Sequence, residues 1–220
     1  MKALFFSCIL LSTYLSFSQN FGLSEDKRDN KKYKTVVIGD QTWMAENLNV
    51  STFRNEDKIP MAKNEEDWWK ASEEGKPIWS YYQFDSKNGN QYGKIYNWYA
   101  VADPRGLAQE GWHIPSDQEW TLLGNYLGGD ENAGKKLKST ENWNSDGNGT
   151  NESGFSAIPV TGFNLDGGFY FEHGSEGNWW TSTESNSDLA FLRSLSNEND
   201  QLIRNELYKS SGFSVRCVKD

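Results

Sequence analysis

Residues 111–129 are GWHIPSDQEWTLLGNYLGG, and they carry the clearest helix signal in the chain. Ser116 and Glu119 have the spacing of a capping box, in which the serine side chain accepts a hydrogen bond from a free backbone N–H and the glutamate reaches back to the serine N–H. Three large apolar residues then fall on one helix face: Trp120, Leu123 and Leu127. Gly128 and Gly129 provide a left-handed stop. The stretch predicts a helix that begins after Ser116 and packs one face on a core.

The segments on either side of this helix predict an α+β fold. Residues 64–74 have acids in their first turn and precede Gly75, which is typical of a short helix, and residues 133–138 predict another. A β-hairpin is expected over residues 33–45, around Gly39-Asp40. Strands separated by turns are expected later in the chain, at Phe155–Val160, Gly168–Phe171, Asn178–Thr183, Leu189–Leu195, Gln201–Leu207 and Phe213–Val218. Helices before residue 140 and antiparallel strands after it indicate an α+β domain with long irregular loops.

The N-terminal segment has the features of an export signal. Lys2 precedes an apolar run, and Ser16 and Ser18 have the spacing of small residues before a signal-peptidase cleavage site. We expect a signal peptide over residues 1–18, which is too short to span a membrane, and no later segment is apolar enough to do so. Residues 19–32 are polar and mixed in charge, which predicts a flexible leader. A single domain is expected over residues 33–220.

The composition indicates a core made of rings, since aromatic residues are 15% of a chain with only 36% hydrophobic residues. The formal charge of −9 argues against nucleic acid and against anionic lipid, both of which require clustered basic residues. Loss of residues 1–18 would remove Cys8 and leave only Cys217, so no internal disulfide is expected. Cys217 is interpreted as a small buried apolar side chain, with a reactive thiol as the alternative.

Six ordered segments resemble the Fibrobacter succinogenes major paralogous domain, over about residues 33–220. They are Val37–Leu48, Gly93–Ala100, Gly111–Trp120, Gly154–Ala157, Trp179–Glu184 and Gly212–Val218. The resemblance implies an exported protein that is secreted, periplasmic or on the surface of a Gram-negative bacterium. Three of these segments are also similar in order to the formylglycine-generating enzyme superfamily. That similarity implies a C-type-lectin-like fold, with two or three helices in the N-terminal half flanking antiparallel strands.

The enzyme chemistry of that superfamily does not carry over to this chain. Its copper site needs a pair of nearby cysteines and another branch needs three histidines for iron. The chain without residues 1–18 holds Cys217, His113 and His173. We therefore expect a protein that is not an enzyme. An undetected hydrolase stays as an alternative, with Glu119 and Glu184 as the carboxylate pair to consider, although the capping box already uses Glu119.

Three tryptophans are candidate ligand-binding platforms, because ring faces bind sugar rings and these residues lie in polar surroundings: Trp68, Trp69 and Trp143. Five others are expected in the core: Trp98, Trp112, Trp120, Trp179 and Trp180. His113 is interpreted as a half-buried strand residue fixed by a backbone hydrogen bond, with a general base or metal ligand as the alternative.

A calcium site is considered in the polar loop before residue 154. The EF-hand pattern fails, because Ala157 stands where the twelfth-position acid is required. A looser calcium site is kept as an alternative, with loop oxygens from four candidate ligands: Asn144, Asp146, Asn148 and Glu152. No other cofactor is expected.

These observations favour an exported, non-catalytic binding or adhesion module, with carbohydrate at the cell surface as the expected ligand. The alternatives are a structural subunit of a surface complex, and a degenerate or undetected hydrolase on a formylglycine-generating-enzyme-like scaffold. The expected partner is a polysaccharide or a surface protein. Nucleic acid is not expected as a partner.

Overall fold

The computed structural model describes residues 20–163 and 173–220, which form short helices and three antiparallel sheets. The α-helices are α1 Glu65–Glu73, α2 Gly89–Tyr92, α3 Trp98–Val101, α4 Asp117–Tyr126 and α5 Asp130–Leu137. The strands are β1 Asn20–Asp26, β2 Lys31–Ile38, β3 Gln41–Met44, β4 Trp79–Ser80, β5 Ile95–Asn97, β6 Trp112–His113, β7 Glu176–Glu184, β8 Leu189–Ser196, β9 Ile203–Tyr208, β10 Gly212–Phe213 and β11 Val218–Lys219. The α+β class expected from the sequence is confirmed.

The largest sheet joins the two ends of the described chain. Its five strands have the order β1-β2-β3-β11-β6, so the C-terminal strand pairs between β3 and β6. The other two sheets have three strands each, in the orders β10-β5-β4 and β7-β8-β9. The hairpin expected over residues 33–45 is confirmed as β2 and β3. The expectation that the remaining strands gather after residue 140 is only half right, because β1, β4, β5 and β6 also precede that point. The reason is long-range pairing, which local patterns do not report.

Aromatic rings form the centre of the core, as the composition predicts. Trp43 and Trp120 meet edge to face with ring centroids 4.9 Å apart, and Phe155 lies 5.7 Å from Trp43. The five tryptophans expected in the core are all buried, each less than 9% exposed: Trp98, Trp112, Trp120, Trp179 and Trp180. Such edge-to-face pairs add roughly 0.5–1.5 kcal/mol each to the effect of area burial.

Helix α4 begins where the capping box predicts. Ser116 caps the helix with its side chain, and the Glu119 carboxylate accepts from the Ser116 N–H at 2.7 Å. Trp120 and Leu123 face the core. The first turn is also fixed from the sheet side, because Arg193 on β8 donates to the Asp117 carbonyl at 3.0 Å. The helix therefore has a defined position against the β7-β8-β9 sheet.

The flexible leader expected over residues 19–32 is wrong for residues 20–32. Asn20 to Asp26 pair with β2 along their whole length. The turn that follows is held by Arg28, which forms an ion pair with Asp26 at 2.6 Å and donates to the Leu107 carbonyl at 2.9 Å. The polar composition conceals this strand, because Asp26, one of its two charged residues, is buried against a cation only two residues away.

Two of the expected late strands are also different. Residues 155–160 form no strand, only an isolated parallel bridge between Ala157 and Lys138. Residues 213–218 divide between β10 and β11, which belong to different sheets. The expected strand at residues 168–171 and the expected signal peptide lie outside the described residues.

Within the two described ranges, no helix combines the length and the apolar character that crossing a membrane requires.

Candidate functional site

The candidate site is a cavity of about 360 Å³ between the β1-β2 edge, the end of β3, helix α2 and residues 156–158. Its lining combines an aromatic ring with amides and charged groups: Phe21, Lys31, Lys34, Glu46, Asn90 and Arg216. Four of the six segments that carry the family resemblance contribute to this lining, through Asn47, Gly93, Ser156 and Arg216. The cavity is therefore built by residues that are far apart in the sequence.

Arg216 at this cavity is fully buried, with 1% of its surface exposed. It donates from Nε to Asn47 Oδ1 at 2.8 Å, from Nη1 to the carbonyls of Met44 and Phe155 at 3.1 and 2.5 Å, and from Nη2 to the Ser156 carbonyl at 3.1 Å. These acceptors are all neutral. Burial lowers the pKa of Arg216 to about 9, against the opposing effect of the Glu46 charge. The guanidinium stays protonated at neutral pH and its charge has no carboxylate within 4 Å in the described part of the chain.

Asn47 holds this arginine in place through a fully used side-chain amide. Its Oδ1 accepts from Arg216 Nε and from Trp179 Nε1 at 2.9 Å. Its Nδ2 donates to the Tyr92 carbonyl at 3.0 Å and to Ser214 Oγ at 3.2 Å. Four segments of the chain therefore meet at one amide, which gives the floor of the cavity a fixed geometry.

The wall next to α2 depends on Gly93. This residue has φ of 74°, and a Cβ there would lie 2.8 Å from the Leu48 carbonyl oxygen. Only glycine tolerates this conformation and this approach together. Gly93 therefore lets α2, with Asn90 and Gln91, approach the segment around Asn47 closely enough to line the cavity.

Lys94, which follows Gly93, is a second buried cation without a carboxylate partner in residues 20–163 and 173–220. Its Nζ donates to the carbonyl and to Oδ1 of Asn49 at 2.6 and 2.9 Å, and lies 4.5 Å from the Trp79 ring centroid. Burial lowers the pKa of Lys94 to about 8. The two buried cations that lack carboxylates are thus held by two residues of one short segment, Asn47 and Asn49.

The other buried cations in the described chain are paired differently. Lys138 lies 3.4 Å from Asp200, Arg193 lies 2.7 Å from Asp117, and Lys209 is paired with Glu184. Carboxylate compensation is the usual arrangement for a buried charge. The region around Asn47 and Asn49 is the exception.

The mouth of the cavity adds two lysines and an exposed ring. Lys31 and Lys34 line it, and the Glu46 carboxylate there accepts from the backbone N–H of Lys34 at 3.2 Å. Phe21 is 59% exposed. Its ring packs on Gly154, where a Cβ would come within 2.9 Å of the ring. The arrangement offers a flat apolar face, amide groups and positive charge to one ligand.

The tryptophans proposed from the sequence as exposed platforms do not form one site. Trp68 is fully buried and donates to the Ser210 carbonyl at 2.9 Å, and Trp143 is 4% exposed and donates to the Ala157 carbonyl at 3.1 Å. The expectation of exposure is wrong for both. The polar residues around them cover the outer surface, while each indole reaches the core. Trp69 is 43% exposed, as expected.

Two of the four proposed calcium ligands form hydrogen bonds within their loop region. Asn144 donates through Nδ2 to the His173 carbonyl at 2.7 Å, and Asn148 accepts through Oδ1 from the Trp143 N–H at 3.0 Å. Asp146 and Glu152 lie in the same loop. The described residues hold no group of three or more His, Cys, Asp or Glu side chains placed to bind a metal. Calcium binding stays a prediction.

His113 is held by two carboxylates rather than by the backbone bond that the sequence suggested. Its Nε2 lies 2.7 Å from Glu119 Oε1, and its Nδ1 lies 2.6 Å from Asp220 Oδ1. Partial burial lowers the pKa of His113, but these two hydrogen bonds outweigh it and raise the pKa overall. Burial raises the pKa of Glu119, while bonds from Ser116 and His113 lower it overall. The cluster ties the C-terminus to α4.

Glu119 and Glu184, the carboxylates considered for a hydrolase, are engaged by other groups. Glu119 accepts from Ser116 and contacts His113, and Glu184 is paired with Lys209. Cys217 is fully buried, and burial raises the pKa of its thiol to about 12. The interpretation of Cys217 as a small buried apolar residue is confirmed.

The fold and the cavity define an α+β domain built around buried rings, with a buried arginine at a polar cavity. The chain belongs to the Fibrobacter succinogenes major domain family, whose family model matches residues 36–219. No curated protein matches the chain, and no solved structure matches it.

Most residues of the cavity have no direct signal in the sequence. Phe21 and Lys31 lay in the segment interpreted as a leader, and Lys34 lay in the predicted hairpin with nothing to mark it as a cavity residue. Arg216 did offer a signal, because it stands between the apolar residues Val215 and Cys217 in the Gly212–Val218 segment. A cation within such a run requires buried acceptors.

Proposed function

We propose that this protein is an exported, non-catalytic binding module that takes a saccharide at the Arg216 cavity, on the surface or in the periplasm of a Gram-negative bacterium. The observation that carries the proposal is the exposed Phe21 ring at the mouth of a cavity lined by amides and a buried guanidinium. Sugar rings present apolar faces that stack on aromatic rings, while their hydroxyls need donors and acceptors. Asn90 and Gln91 from α2 supply amides of that kind.

A C-type-lectin-like fold is part of the same proposal. Three antiparallel sheets, three helices of eight residues or more and long irregular loops support it. The distant similarity to the formylglycine-generating enzyme superfamily supports it as well. Binding sites in such loop-rich domains are held by irregular segments on a fixed scaffold.

The absence of catalysis is proposed on ligand counts. The sequence contains two histidines and, after loss of residues 1–18, one cysteine. Cys217 is buried, and its raised pKa leaves little thiolate at neutral pH. Export is proposed on the signal-like residues 1–18. N-terminal sequencing of the protein from its native cells tests it, with Gln19 as the expected first residue.

A glycan array probed with residues 19–220 tests the binding proposal. We expect binding that falls at least tenfold in Phe21→Ala, because the stacking surface is lost. Leu23→Ala is the matched control, since Leu23 lies on the same strand, is 70% exposed and does not line the cavity. Trp69→Ala separates this site from the remaining tryptophan candidate. Absence of any saccharide binding, or loss of binding in Trp69→Ala but not in Phe21→Ala, contradicts the proposal.

A structural subunit of a surface complex is the second candidate function. The observation that favours it is the edge strand β1, which pairs on one side with β2 and has two exposed apolar side chains, Phe21 and Leu23. Such edges pair readily with further strands. Light scattering of residues 19–220 between 1 and 100 μM, on the order of ordinary assembly affinities, tests it. A monomer throughout that range counts against this candidate.

A further inference from the structure

We infer that the saccharide bound at the Arg216 cavity is acidic, and that its carboxylate lies among Arg216, Lys31 and Lys34. This inference rests on the proposed function and names the ligand class of that site.

The charges that line the cavity are unequal. Three cations, Lys31, Lys34 and Arg216, stand against one carboxylate, Glu46. The Glu46 carboxylate already accepts a hydrogen bond from the Lys34 backbone. Lys94 adds a further cation behind this wall, held by Asn49. The lining is therefore locally positive in a chain whose formal charge is −9.

The negative charge of the whole chain does not cancel this local field. At physiological salt the Debye length is about 8 Å, so charges farther from the cavity are largely screened. Partly buried charges are screened less. A short acidic oligosaccharide therefore interacts mainly with the cavity lining, whereas a long polyanion also meets the acidic surface.

Arg216 has donor capacity left for a ligand. A guanidinium has five N–H donors, and the described contacts of Arg216 use four of them, with one N–H of Nη2 left over. Its acceptors are an amide and three carbonyls, none of which carries a charge. A carboxylate at the cavity would supply the missing negative charge and accept a charge-assisted hydrogen bond, which is about twice as strong as a neutral one.

Esterification offers a ligand pair that differs only in charge. We expect trigalacturonate to bind residues 19–220 at least tenfold more tightly than its fully methyl-esterified form, as measured by isothermal titration calorimetry. A sulfated galactan oligosaccharide of equal length serves as a third ligand, because it separates a requirement for carboxylate from a requirement for any anion.

Lys34→Gln is the variant that tests the site, since Arg216 variants remove bonds on which the fold depends. We expect it to weaken trigalacturonate binding about fivefold to tenfold and to weaken binding of the ester less, so that the preference for the acid over the ester falls. Lys32→Gln is the matched control, because Lys32 lies on the same strand, is exposed and does not line the cavity. Both variants are checked for an unchanged unfolding midpoint.

The outcomes separate this inference from the proposed function. Equal binding of acid and ester, or binding of neutral glycans only, overturns the acidic ligand while saccharide binding stands. Tighter binding of the sulfated ligand overturns the inference that the anionic group of the ligand is a carboxylate. An equal loss of trigalacturonate affinity in Lys34→Gln and Lys32→Gln overturns the placement of the binding site at this cavity. Absence of binding to every saccharide overturns the proposed function as well.

Discussion

The regions around Arg193 and Arg216 each contain a buried positive charge, but they compensate it in different ways. Both arginines are at most 1% exposed. Arg193 donates to Asp117 Oδ1 from Nε and Nη2 at 3.0 and 2.7 Å, and Asp130 lies 3.7 Å from its Nη1. Arg216 donates to neutral oxygens only. In the first region the arginine charge is neutralised by carboxylates of the protein, whereas in the second a positive charge lies beside a cavity without a carboxylate partner. We infer that the first arginine serves the position of α4 and the second serves a ligand.

The largest effect is expected when the Asp117 carboxylate, the main partner of Arg193, is removed. Asp117→Ala leaves a buried cation without its main partner, and we expect the free energy of unfolding to fall by about 3–5 kcal/mol. Urea denaturation measures this. The double variant Asp117→Ala/Arg193→Met is expected to recover part of the loss, because replacing a whole buried ion pair with apolar groups is often near neutral. A loss below about 1 kcal/mol in the single variant contradicts the assigned role.

A carboxylate placed beside Arg216 makes the second region resemble the first. In Asn47→Asp the new charge lies next to Arg216 Nε, and we expect binding of trigalacturonate to fall at least tenfold, about 1.4 kcal/mol. Two donations from the Asn47 amide are also lost. The free energy of unfolding is expected to fall by about 2 kcal/mol. Calorimetry and denaturation at pH 7 measure the two effects. Unchanged affinity in a folded Asn47→Asp protein contradicts the comparison.

The cluster of His113, Glu119 and Asp220 lies at the N-terminal end of α4, which Arg193 also contacts, but it is more exposed. The raised pKa of His113 stabilises the folded protein fully below its ordinary value near 6.5 and not at all above the raised value. The lowered pKa of Glu119 stabilises it above about 4.5, and this part is lost as pH falls through the lowered value.

His113→Gln is therefore expected to reduce the free energy of unfolding by up to about 1 kcal/mol at pH 5.5 and by less at pH 8.5, since exposed pairs contribute little. Denaturation curves at the two pH values measure this difference. A larger loss at pH 8.5 than at pH 5.5 contradicts the charged interaction.

A change in salt concentration is expected to have the smallest effect, and it distinguishes the exposed charges at the cavity from the buried ion pair of Arg193. Raising NaCl from 0.05 to 0.5 M is expected to weaken trigalacturonate binding severalfold, because the lysines at the cavity mouth are screened. The loss of stability in Asp117→Ala is expected to stay nearly constant, because the buried pair is screened much less. Calorimetry and denaturation at both salt concentrations measure these effects. The opposite pattern contradicts the division between the regions.

Local patterns predicted the parts of the fold that local interactions create. The capping box at Ser116 and Glu119 and the hairpin around Gly39 depend on residues a few positions apart. The strand β1 and the division of residues 213–218 between two sheets depend on distant partners. Sequence periodicity does not contain that information.

The adjacent residues Trp68 and Trp69 show the same limit at the level of side chains. Both lie on a helix with a polar sequence, and that pattern made both of them candidate exposed platforms without showing which one faces inward. Trp68 is buried because its ring packs 4.7 Å from Phe163 and its indole N–H reaches the Ser210 carbonyl. Trp69 remains 43% exposed. Contacts with residues distant in the sequence, Phe163 and Ser210, therefore determine which face of this helix is buried.

The two arginines are compared in one sample by NMR. Arginine side-chain Nε–Hε resonances of residues 19–220 labelled with ¹³C and ¹⁵N, assigned through bonds from the backbone, are followed by NMR while trigalacturonate is added. We predict a saturable shift of the Arg216 resonance with the calorimetric affinity, and an unchanged Arg193 resonance. A bound ligand that leaves the Arg216 resonance unmoved, or that shifts both resonances equally, contradicts the inference that Arg216 binds an anionic ligand.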